Sequence, residues 1–485
     1  MKPVSLRALA LAAALAAPLS VLPAHAAELS AQDKQSLLAT VDRNQAALDH
    51  AALEIWKFAE LGYQETQSSA LLQGQLRDAG FTVTPGIANE PTAFLASFKN
   101  GSGPVIAVLA EYDALPGLSQ TLSPIQESAG GHAGHGCGHN LFGAASIHAA
   151  IAVKDWMVAN NIKGELRVYG TPAEEGGSGK VYMVRDGLFD DVDVSLHWHP
   201  GNVNSARQGD TMANVSGKFR FYGTASHAAA APDKGRSALD GVEAMNAMVN
   251  LMREHVPDRT RIHYAITDGG KAPNVVPAYA EAYYYVRHNN PEIVRDVLER
   301  VKLAADGAAL GTGTRVEFEA IGGVYSMLPN EALMRVMDRN LRHVGGIAWT
   351  AEETALASEI QKTLTTKPDL ASVGQIEDAV IGGDFGGSTD VSDVSWVTPT
   401  VGLSTATFVP GSAGHSWQNV VAAGSTIGLK GAHLAAKTLA LTTAELFQSP
   451  ETIQAAKAEF EGRRGPDFQY RALLGDRAPA LNYRD

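Results

Sequence analysis

The chain has 485 residues, of which 45% are hydrophobic and 19% are charged. This length suits two or three domains, and this composition excludes intrinsic disorder, collagen and coiled coil. The formal net charge is −13 and no basic run stands out, so nothing in the sequence favours a nucleic-acid partner.

The first segment has the pattern of a secretory signal peptide. Lys2 and Arg7 precede an apolar run over residues 8–22, and Ala24-His25-Ala26 follows. A positive start, a short apolar run and a small-residue cleavage site are typical of such peptides. The alternative, an uncleaved anchor, is disfavoured because the run is short for a spanning helix. We therefore expect residues 1–26 to be removed from an exported protein, periplasmic or secreted, with no membrane association afterwards.

Strands and helices alternate along much of the remaining chain. Helical periodicity covers residues 30–80, and residues 143–158 are predicted to form another helix. Short apolar runs between polar segments are typical of strands that are buried on both faces of a parallel sheet. The alternation predicts an α/β domain with a mainly parallel sheet. Its predicted strands are 104–110, 166–170, 192–196 and 400–404.

A second pattern begins near residue 214. Residues 215–223 alternate between apolar and polar side chains, as a half-exposed strand does. The segments that follow predict the order strand, helix, strand, strand, helix, strand, which is typical of a ferredoxin-like α+β sandwich with an antiparallel sheet. We expect residues 214–325 to form an inserted domain. The α/β domain is then divided into residues 27–213 and 326–485.

Polar clusters follow the predicted parallel strands. Because the carboxyl ends of parallel strands meet at one edge of a sheet, these clusters are expected to lie close together. In chain order they are Glu111-Tyr112-Asp113, the Gly- and His-rich segment 130–140, Thr171–Gly177, His197-Trp198-His199 and the segment 411–417.

The residue types in these clusters point to a metal. Cys137 is the only cysteine, so it has no partner for an internal disulfide. A thiolate with imidazoles suits zinc, and carboxylates with imidazoles also admit manganese or cobalt. The adjacent Glu174 and Glu175 supply one ligand and one base for hydrolysis. Each feature alone has an ordinary alternative, namely an inert buried thiol, a solvated acidic pair or loop histidines. Their joint placement at strand ends favours a metal site.

These motifs resemble a known family. The segments Glu111–Pro116, Cys137-Gly138-His139-Asn140, Pro172–Gly177, His197–Pro200 and His415-Ser416-Trp417 are similar to those of the metal-dependent amidohydrolases and peptidases. That family includes carboxypeptidase G, aminoacylase, the indoleacetyl-amino-acid hydrolases and aminobenzoyl-glutamate hydrolase. The resemblance covers nearly the whole mature chain, and it implies a catalytic domain with an inserted dimerisation or lid domain.

The resemblance implies two divalent metal ions, zinc or manganese, and a set of residues to hold them. The implied ligands are Cys137, His139, Glu175, His415 and either His199 or His197, with Glu174 as the general base. We favour His199, since a histidine before a proline ends the predicted strand and points into the crevice. His197 is then a pocket residue.

The sequence departs from the family pattern at one position. Many relatives have a metal-binding histidine where this chain has Glu111, whereas Asp113 is kept. Cys137 takes over as a ligand in the cysteine-bearing branch. We expect Asp113 to orient a neighbouring ligand, and the alternative is that it only caps the following turn.

The inserted domain carries further implied site residues. The resemblance implies that His227 reaches the active site of a partner subunit and stabilises the oxyanion, and the alternative is a half-buried strand-end histidine. Asn274 and Arg287 are candidate substrate-binding residues, because a guanidinium grips a carboxylate in a bidentate manner. Arg287 has a rival interpretation as a surface residue paired with Glu281.

The expected activity is metal-dependent hydrolysis of an amide bond in N-acyl amino acids, with aminobenzoyl-glutamate-like substrates that carry a free carboxylate favoured. The expected partners are a second copy of the chain, as a homodimer or a higher homo-oligomer, and a second kind of subunit. Three rivals stay open: an aminoacylase or dipeptidase of the same family, a cysteine hydrolase that uses Cys137, and a non-catalytic metal- or ligand-binding exported protein. The intact Glu174-Glu175 pair argues against the last, because a binding protein needs no base.

Overall fold

The computed structural model describes residues 28–384 and 387–484. The predicted signal peptide lies outside the described residues. Before the insert, the elements in chain order are α1 (Ala31–Arg43), α2 (Gln45–Phe58), α3 (Thr66–Asp78), β1 (Thr82–Pro85), β2 (Phe94–Lys99), β3 (Val105–Ala110), β4 (Leu115–Pro116), β5 (Ala133–Gly134), α4 (His139–Ala159), β6 (Glu165–Gly170), α5 (Gly179–Arg185), β7 (Val194–Gly201) and β8 (Gln208–Asp210).

The insert and the remainder follow. The insert holds β9 (Ala213–Tyr222), α6 (Ala238–Met252), β10 (Arg261–Asp268), β11 (Tyr279–His288), α7 (Pro291–Thr312) and β12 (Arg315–Val324). The chain then forms α8 (Glu331–Val344), α9 (Ala351–Lys362), β13 (Ile381–Asp384), α10 (Val391–Ser395), β14 (Thr400–Ala406), α11 (Trp417–Ala423), α12 (Thr426–Gln448) and α13 (Pro450–Arg464).

The central sheet has six strands in the order β1-β2-β6-β3-β7-β14. The four strands β6, β3, β7 and β14 run parallel, whereas β1 and β2 pair antiparallel at one edge. The sheet is therefore mixed and mainly parallel. Its four parallel strands are the four that the apolar runs predicted, and the antiparallel edge was not predicted.

Two long helices from distant parts of the chain cover the sheet. Helices α4 and α12 pack on each other, and α4 also packs on β3, β6 and β7. Among the described residues, α4 alone is long and apolar enough to span a membrane, but 83% of its apolar stretch is buried. It is the core helix of the domain.

The insert forms its own sheet with the order β10-β11-β9-β12, antiparallel throughout. Helices α6 and α7 pack on one face of this sheet. Along β11, Ala282, Tyr284 and Val286 are buried in the core with these helices, while the residues between them point the other way. This alternation is the period-2 pattern of a strand with one face on a core.

The last described residues, 465–484, follow α13 with no further helix or strand, and we call them the C-terminal tail. Leu473 and Leu474 of the tail are buried, one in the core of the insert and one in the cluster beneath the central sheet. The tail is thus packed against both parts of the molecule.

Candidate metal centre

The candidate ligands come from four segments at one edge of the central sheet. Cys137 precedes α4 and His139 is its first residue, while Glu175 follows β6. His199 lies on β7 and His415 follows β14. Gly138 lies between the first two ligands at φ 77°, and a Cβ there would come within 2.9 Å of Pro200. A glycine is therefore required for the turn that presents Cys137 and His139 together.

The side chains converge closely. Three groups each bring their ligand atoms within 4.8 Å of one another: Cys137, His139 and His199; Cys137, Glu175 and His415; His139, Glu174 and Glu175. Cys137 Sγ lies 3.5 Å from His199 Nε2, and Glu175 Oε1 lies 3.2 Å from His415 Nε2. The structure therefore brings together every residue that the sequence analysis assigned to the metals, with Glu174 beside them.

The ring orientation of two histidines leaves lone pairs for a metal. His199 donates through Nδ1 to the carbonyl of Pro200 at 2.7 Å, and His139 donates through Nδ1 to Asp113 Oδ1 at 2.8 Å. Because each Nδ1 proton is given to an oxygen acceptor, Nε2 is the ring atom of each histidine that is left to bind a metal. His139 Nε2 is buried, and its charged neighbour is Glu111 Oε2 at 3.2 Å. This donor set fits a divalent transition metal.

The protein surroundings of Cys137 do not activate its thiol. Burial and the Glu175 carboxylate raise the pKa of Cys137 well above its ordinary value. A nucleophilic cysteine needs the opposite, namely a lowered pKa. A thiolate at this position is therefore stabilised only by a cation, as in a metal site.

Asp113 connects two candidate ligands. It accepts the Nδ1 proton of His139 on one oxygen and the backbone N–H of Glu175 on the other, at 2.8 and 2.9 Å. Burial raises the pKa of Asp113, but the bonds from His139 and Glu175 hold it below its ordinary value overall. Asp113 does more than cap a turn, since it sets the orientation of both ligands.

Glu174 is suited to proton transfer. Burial, followed by the charges of Glu111 and Glu175, raises its pKa well above the ordinary value. A carboxyl group with a raised pKa accepts a proton at neutral pH more readily than an exposed one, which is the requirement for a general base.

A buried charge cluster lies behind the ligands, and the sequence analysis missed it. Lys180 Nζ lies 2.7 Å from Glu111 Oε1 and 2.6 Å from Asp390 Oδ1, and Glu111 Oε2 lies 3.2 Å from His139 Nε2. Lys180 is fully buried. No local pattern marks this lysine, because its partners are far away in the sequence.

The strand β7 continues to Gly201, so it does not end at His199 as expected. The contacts separate the two histidines instead. His199 Nε2 faces Cys137, whereas the ring of His197 lies against Gly402, where an added Cβ would come within 2.2 Å of Nε2. Burial lowers the pKa of His197 to about 3 and that of His199 to about 4, so both rings are neutral.

His227 and Asn274 lie together at an exposed end of the insert. Ala228 donates to the carbonyl of Asn274 at 3.0 Å, and His227 pairs with Val275 in an isolated bridge. His227 Nδ1 accepts the backbone N–H of Ala230 at 3.1 Å, so its Nε2 carries the proton and can donate. Among the hydrogen bonds and ion pairs of residues 28–384 and 387–484, none joins these two residues to the ligand cluster.

Arg287 is not paired with Glu281. Glu281 instead lies 3.4 Å from Lys218 and 2.8 Å from Arg220. Arg287 lies over the ring of Tyr285, 5.1 Å from its centroid, and its Nε is buried without a hydrogen bond. The rival interpretation of Arg287 as the ion-pair partner of Glu281 is therefore wrong.

A thiol, imidazole and carboxylate cluster at the edge of a mainly parallel sheet, with an inserted antiparallel domain, defines a metal-dependent hydrolase. A family model described as the M20 peptidase dimerisation domain matches residues 212–312. A p-aminobenzoyl-glutamate hydrolase subunit of Escherichia coli K12 is 42% identical over 438 residues, which cover 84% of this chain and 90% of that one. The chain belongs to the M20 family and is a metallo-amidohydrolase, which confirms the predicted family, fold class and enzyme class.

Two further relatives agree. The Xaa-Arg dipeptidase of Mus musculus is 29% identical over 435 residues, covering 87% of this chain and 90% of that one. The crystal structure of an aminobenzoyl-glutamate utilization protein from Klebsiella pneumoniae superposes with a TM-score of 0.60 at 18% identity, covering 84% of this chain and 98% of that one. The last likeness is one of fold.

Proposed function

We propose that this chain hydrolyses the amide bond of N-acyl amino acids whose amine side bears a free carboxylate, with aminobenzoyl-glutamate as the favoured substrate and two zinc or manganese ions as cofactors. The observation that carries the proposal is the cluster of Cys137, His139, Glu175, His199 and His415 with Glu174 beside it. The substrate preference is supported by the 42% identical relative that is named for it.

The side chains of the cluster have distinct roles in this proposal. The metals supply Lewis-acid chemistry for hydrolysis when they are bound. Glu174 takes the proton from the attacking water and returns it to the leaving amine. His227 of a partner subunit donates through Nε2 to the developing oxyanion. Arg287 and Asn274 hold the substrate carboxylate.

The proposal is tested by the release of glutamate from aminobenzoyl-glutamate. The purified mature chain is assayed as purified, after chelation, and after zinc or manganese is added back. We expect activity to be lost on chelation and to return with metal. Activity that survives complete removal of metal contradicts the proposal and points to Cys137 as a nucleophile.

A substitution isolates the base. Glu174→Gln keeps the size of the side chain but removes the proton acceptor, so we expect kcat to fall about 10²- to 10⁴-fold while metal content is unchanged. The matched control is Glu254→Gln on the exposed surface of the insert, which should behave like the unmodified chain.

A second candidate function is a dipeptidase of the same family. It is favoured by the mouse relative, which matches this chain over a similar length and is named for Xaa-Arg dipeptides. A panel of acyl amino acids and dipeptides, compared by kcat/KM, separates the two. A preference for a basic leaving amino acid over glutamate would favour the dipeptidase.

The proposal includes oligomerisation and export. A homodimer or higher homo-oligomer is supported by the dimerisation-domain match and by the exposed apolar side chains Tyr264 and Ile266 on the edge strand β10. A second kind of subunit is suggested because the Escherichia coli hydrolase is named as two different subunits, and both are relatives of this chain. Export is supported by the pattern of residues 1–26, and the mass of the mature chain from its native host tests it.

A further inference from the structure

The C-terminal tail runs along the junction between the insert and the catalytic domain. Its arginine Arg477 donates to the carbonyl of Ile321 on β12 at 3.1 Å, and Arg185 of α5 donates to the carbonyl of Arg477 at 2.6 Å. With Leu473 and Leu474 buried, the middle of the tail is held on both sides. The residues that follow the middle of the tail are therefore held at a fixed position.

The end of the tail contacts the loop that carries Glu174 and Glu175. Tyr483 donates its hydroxyl to the carbonyl of Glu175 at 3.1 Å, and Arg484 donates to the same carbonyl. The ring of Tyr483 packs edge-on against Tyr63, with centroids 5.7 Å apart. At Gly62 a Cβ would come within 2.2 Å of the Tyr483 hydroxyl, so this glycine leaves the space that the tail occupies.

The loop needs such support. Ala173 at φ 56°, Gly176 at φ 91° and Ser178 at φ 60° lie in the left-handed region. Two of these have side chains, and a non-glycine residue in this region persists only where the surroundings hold it. The N–H of Glu175 is held by Asp113, and its carbonyl is held by the tail. The two bonds hold the peptide groups on either side of the Glu175 Cα, and together they limit the direction in which the Glu175 carboxylate projects.

We propose that Tyr483 and Arg484 are positioning residues of the metal centre, which hold the backbone carbonyl of Glu175 so that the Glu175 carboxylate faces His415 and Cys137. The tail is then part of the active-site support although it lies outside both sheets. The inference rests on the proposed function for its role in turnover, but its effect on metal binding is independent of the substrate.

The test measures metal binding by the full mature chain after its metal has been removed. Cobalt(II) is titrated in and followed by its visible bands and by the thiolate charge-transfer band, which reports the Cys137 ligand. The variants are Tyr483→Phe, which keeps the ring, Arg484→Ala, and a chain that ends at Asn482. The matched control is Asn482→Ala, an exposed neighbour in the tail.

We expect Tyr483→Phe and Arg484→Ala each to weaken cobalt binding about 10-fold, in the range found for residues that orient ligands. The shortened chain should be weakened further, with altered visible bands, while Asn482→Ala binds as the unmodified chain does. Arg484→Lys keeps a donor and should restore part of the affinity. Thermal unfolding of the metal-free variants is measured alongside, and Tyr483→Phe is expected to keep its melting temperature.

Two results would overturn the proposal. One is a shortened chain that binds cobalt with unchanged affinity and spectrum. The other is an Arg484→Ala variant with a raised KM but unchanged kcat and metal affinity, which would make Arg484 a substrate contact. If instead the unmodified chain hydrolyses no acyl amino acid while the variants still lose metal affinity, the proposed function fails and the positioning role stands.

Discussion

His197 and His199 share one face of β7, and only their contacts distinguish them. His199 Nε2 contacts Cys137 Sγ at 3.5 Å, whereas the His197 ring is packed on Gly402. From the sequence, the His-Pro pair favours His199 on the assumption that the strand ends there. The strand runs on, and the assignment now rests on the contacts of each ring.

This pair allows a direct comparison. We expect His199→Ala to lose metal affinity by more than the roughly 10- to 100-fold that substitutions around a ligand cost, because it removes a ligand itself. His197→Ala should retain the bound metal and lose only packing. Metal content after dialysis, measured by mass spectrometry, checks both. Loss of metal in the His197 variant alone would reverse the assignment.

Lys180 is the buried cation that balances Glu111 and Asp390. Burial lowers the pKa of Lys180 but the two carboxylates raise it well above its ordinary value overall, so the side chain is charged in the folded chain. Removing one partner of a buried ion pair leaves an unbalanced charge.

We expect Lys180→Met to lower the free energy of unfolding by about 3–5 kcal/mol, since it leaves two buried carboxylates without their cation. The midpoint of urea unfolding followed by tryptophan fluorescence measures the change. Adding Asp390→Asn to this variant removes one of the two unbalanced charges and should recover part of the lost free energy of unfolding. A double variant that is no more stable than the single one would argue that the pair does not act through charge.

At the scale of elements, the buried strands were the most predictable part. Strands β3, β6 and β14 are close to their predicted ranges because both faces of a parallel strand require apolar residues. Strands β1 and β2 were missed; β1, at the edge of the sheet, is only four residues long and mostly exposed. Helix α4 begins at His139, before the predicted start at residue 143. In the structure Gly143 lies inside the helix, where a Cβ would come within 2.7 Å of the Glu111 carbonyl.

Helix α10 carries a carboxyl group that couples stability to pH. Asp393 is fully buried and accepts from the Tyr470 hydroxyl of the tail and from the Tyr325 N–H. Burial raises its pKa from 3.8 to about 7, although these bonds oppose the shift. The folded chain therefore binds more protons at Asp393 than the unfolded chain does between pH 4 and pH 7.

The stability contributed at Asp393 is consequently lost as the pH rises through this window. We expect the free energy of unfolding to fall by about 1.4 kcal/mol per pH unit, up to about 4 kcal/mol, and to level off above pH 7. Asp393→Asn should lack this component, so the difference between the two unfolding curves isolates it. Parallel pH profiles for the two chains would contradict the prediction.

At the scale of the whole molecule, the exposed position of His227 away from the ligand cluster fits a site completed by a second copy. Glu174→Gln and His227→Ala chains should each be inactive alone. When they are mixed, unfolded and refolded together, half of the dimers are mixed and each has one intact site. We expect recovery of about a quarter of the unmodified activity. No recovery from dimers shown to be mixed would place His227 in its own chain's site.

The sequence by itself determined the class of fold, the family and the chemical types at the centre. Apolar periodicity follows from burial, and the carboxyl ends of parallel strands meet at one edge, so residues at strand ends could be grouped without coordinates. The family motifs added Cys137, His139, Glu175 and His415 as a set. Domain boundaries and individual roles remained expectations.

Only the tertiary structure decided which groups support that set. Lys180 meets Asp390 across 210 residues, and Tyr483 reaches the Glu175 carbonyl across 308. Such contacts produce no periodic pattern in the sequence, because they depend on how distant segments of the chain pack together. The tautomers of His139 and His199 were likewise decided by their acceptors in space. Residue types at strand ends are a local property, whereas their orientation is set by neighbours that folding alone brings near.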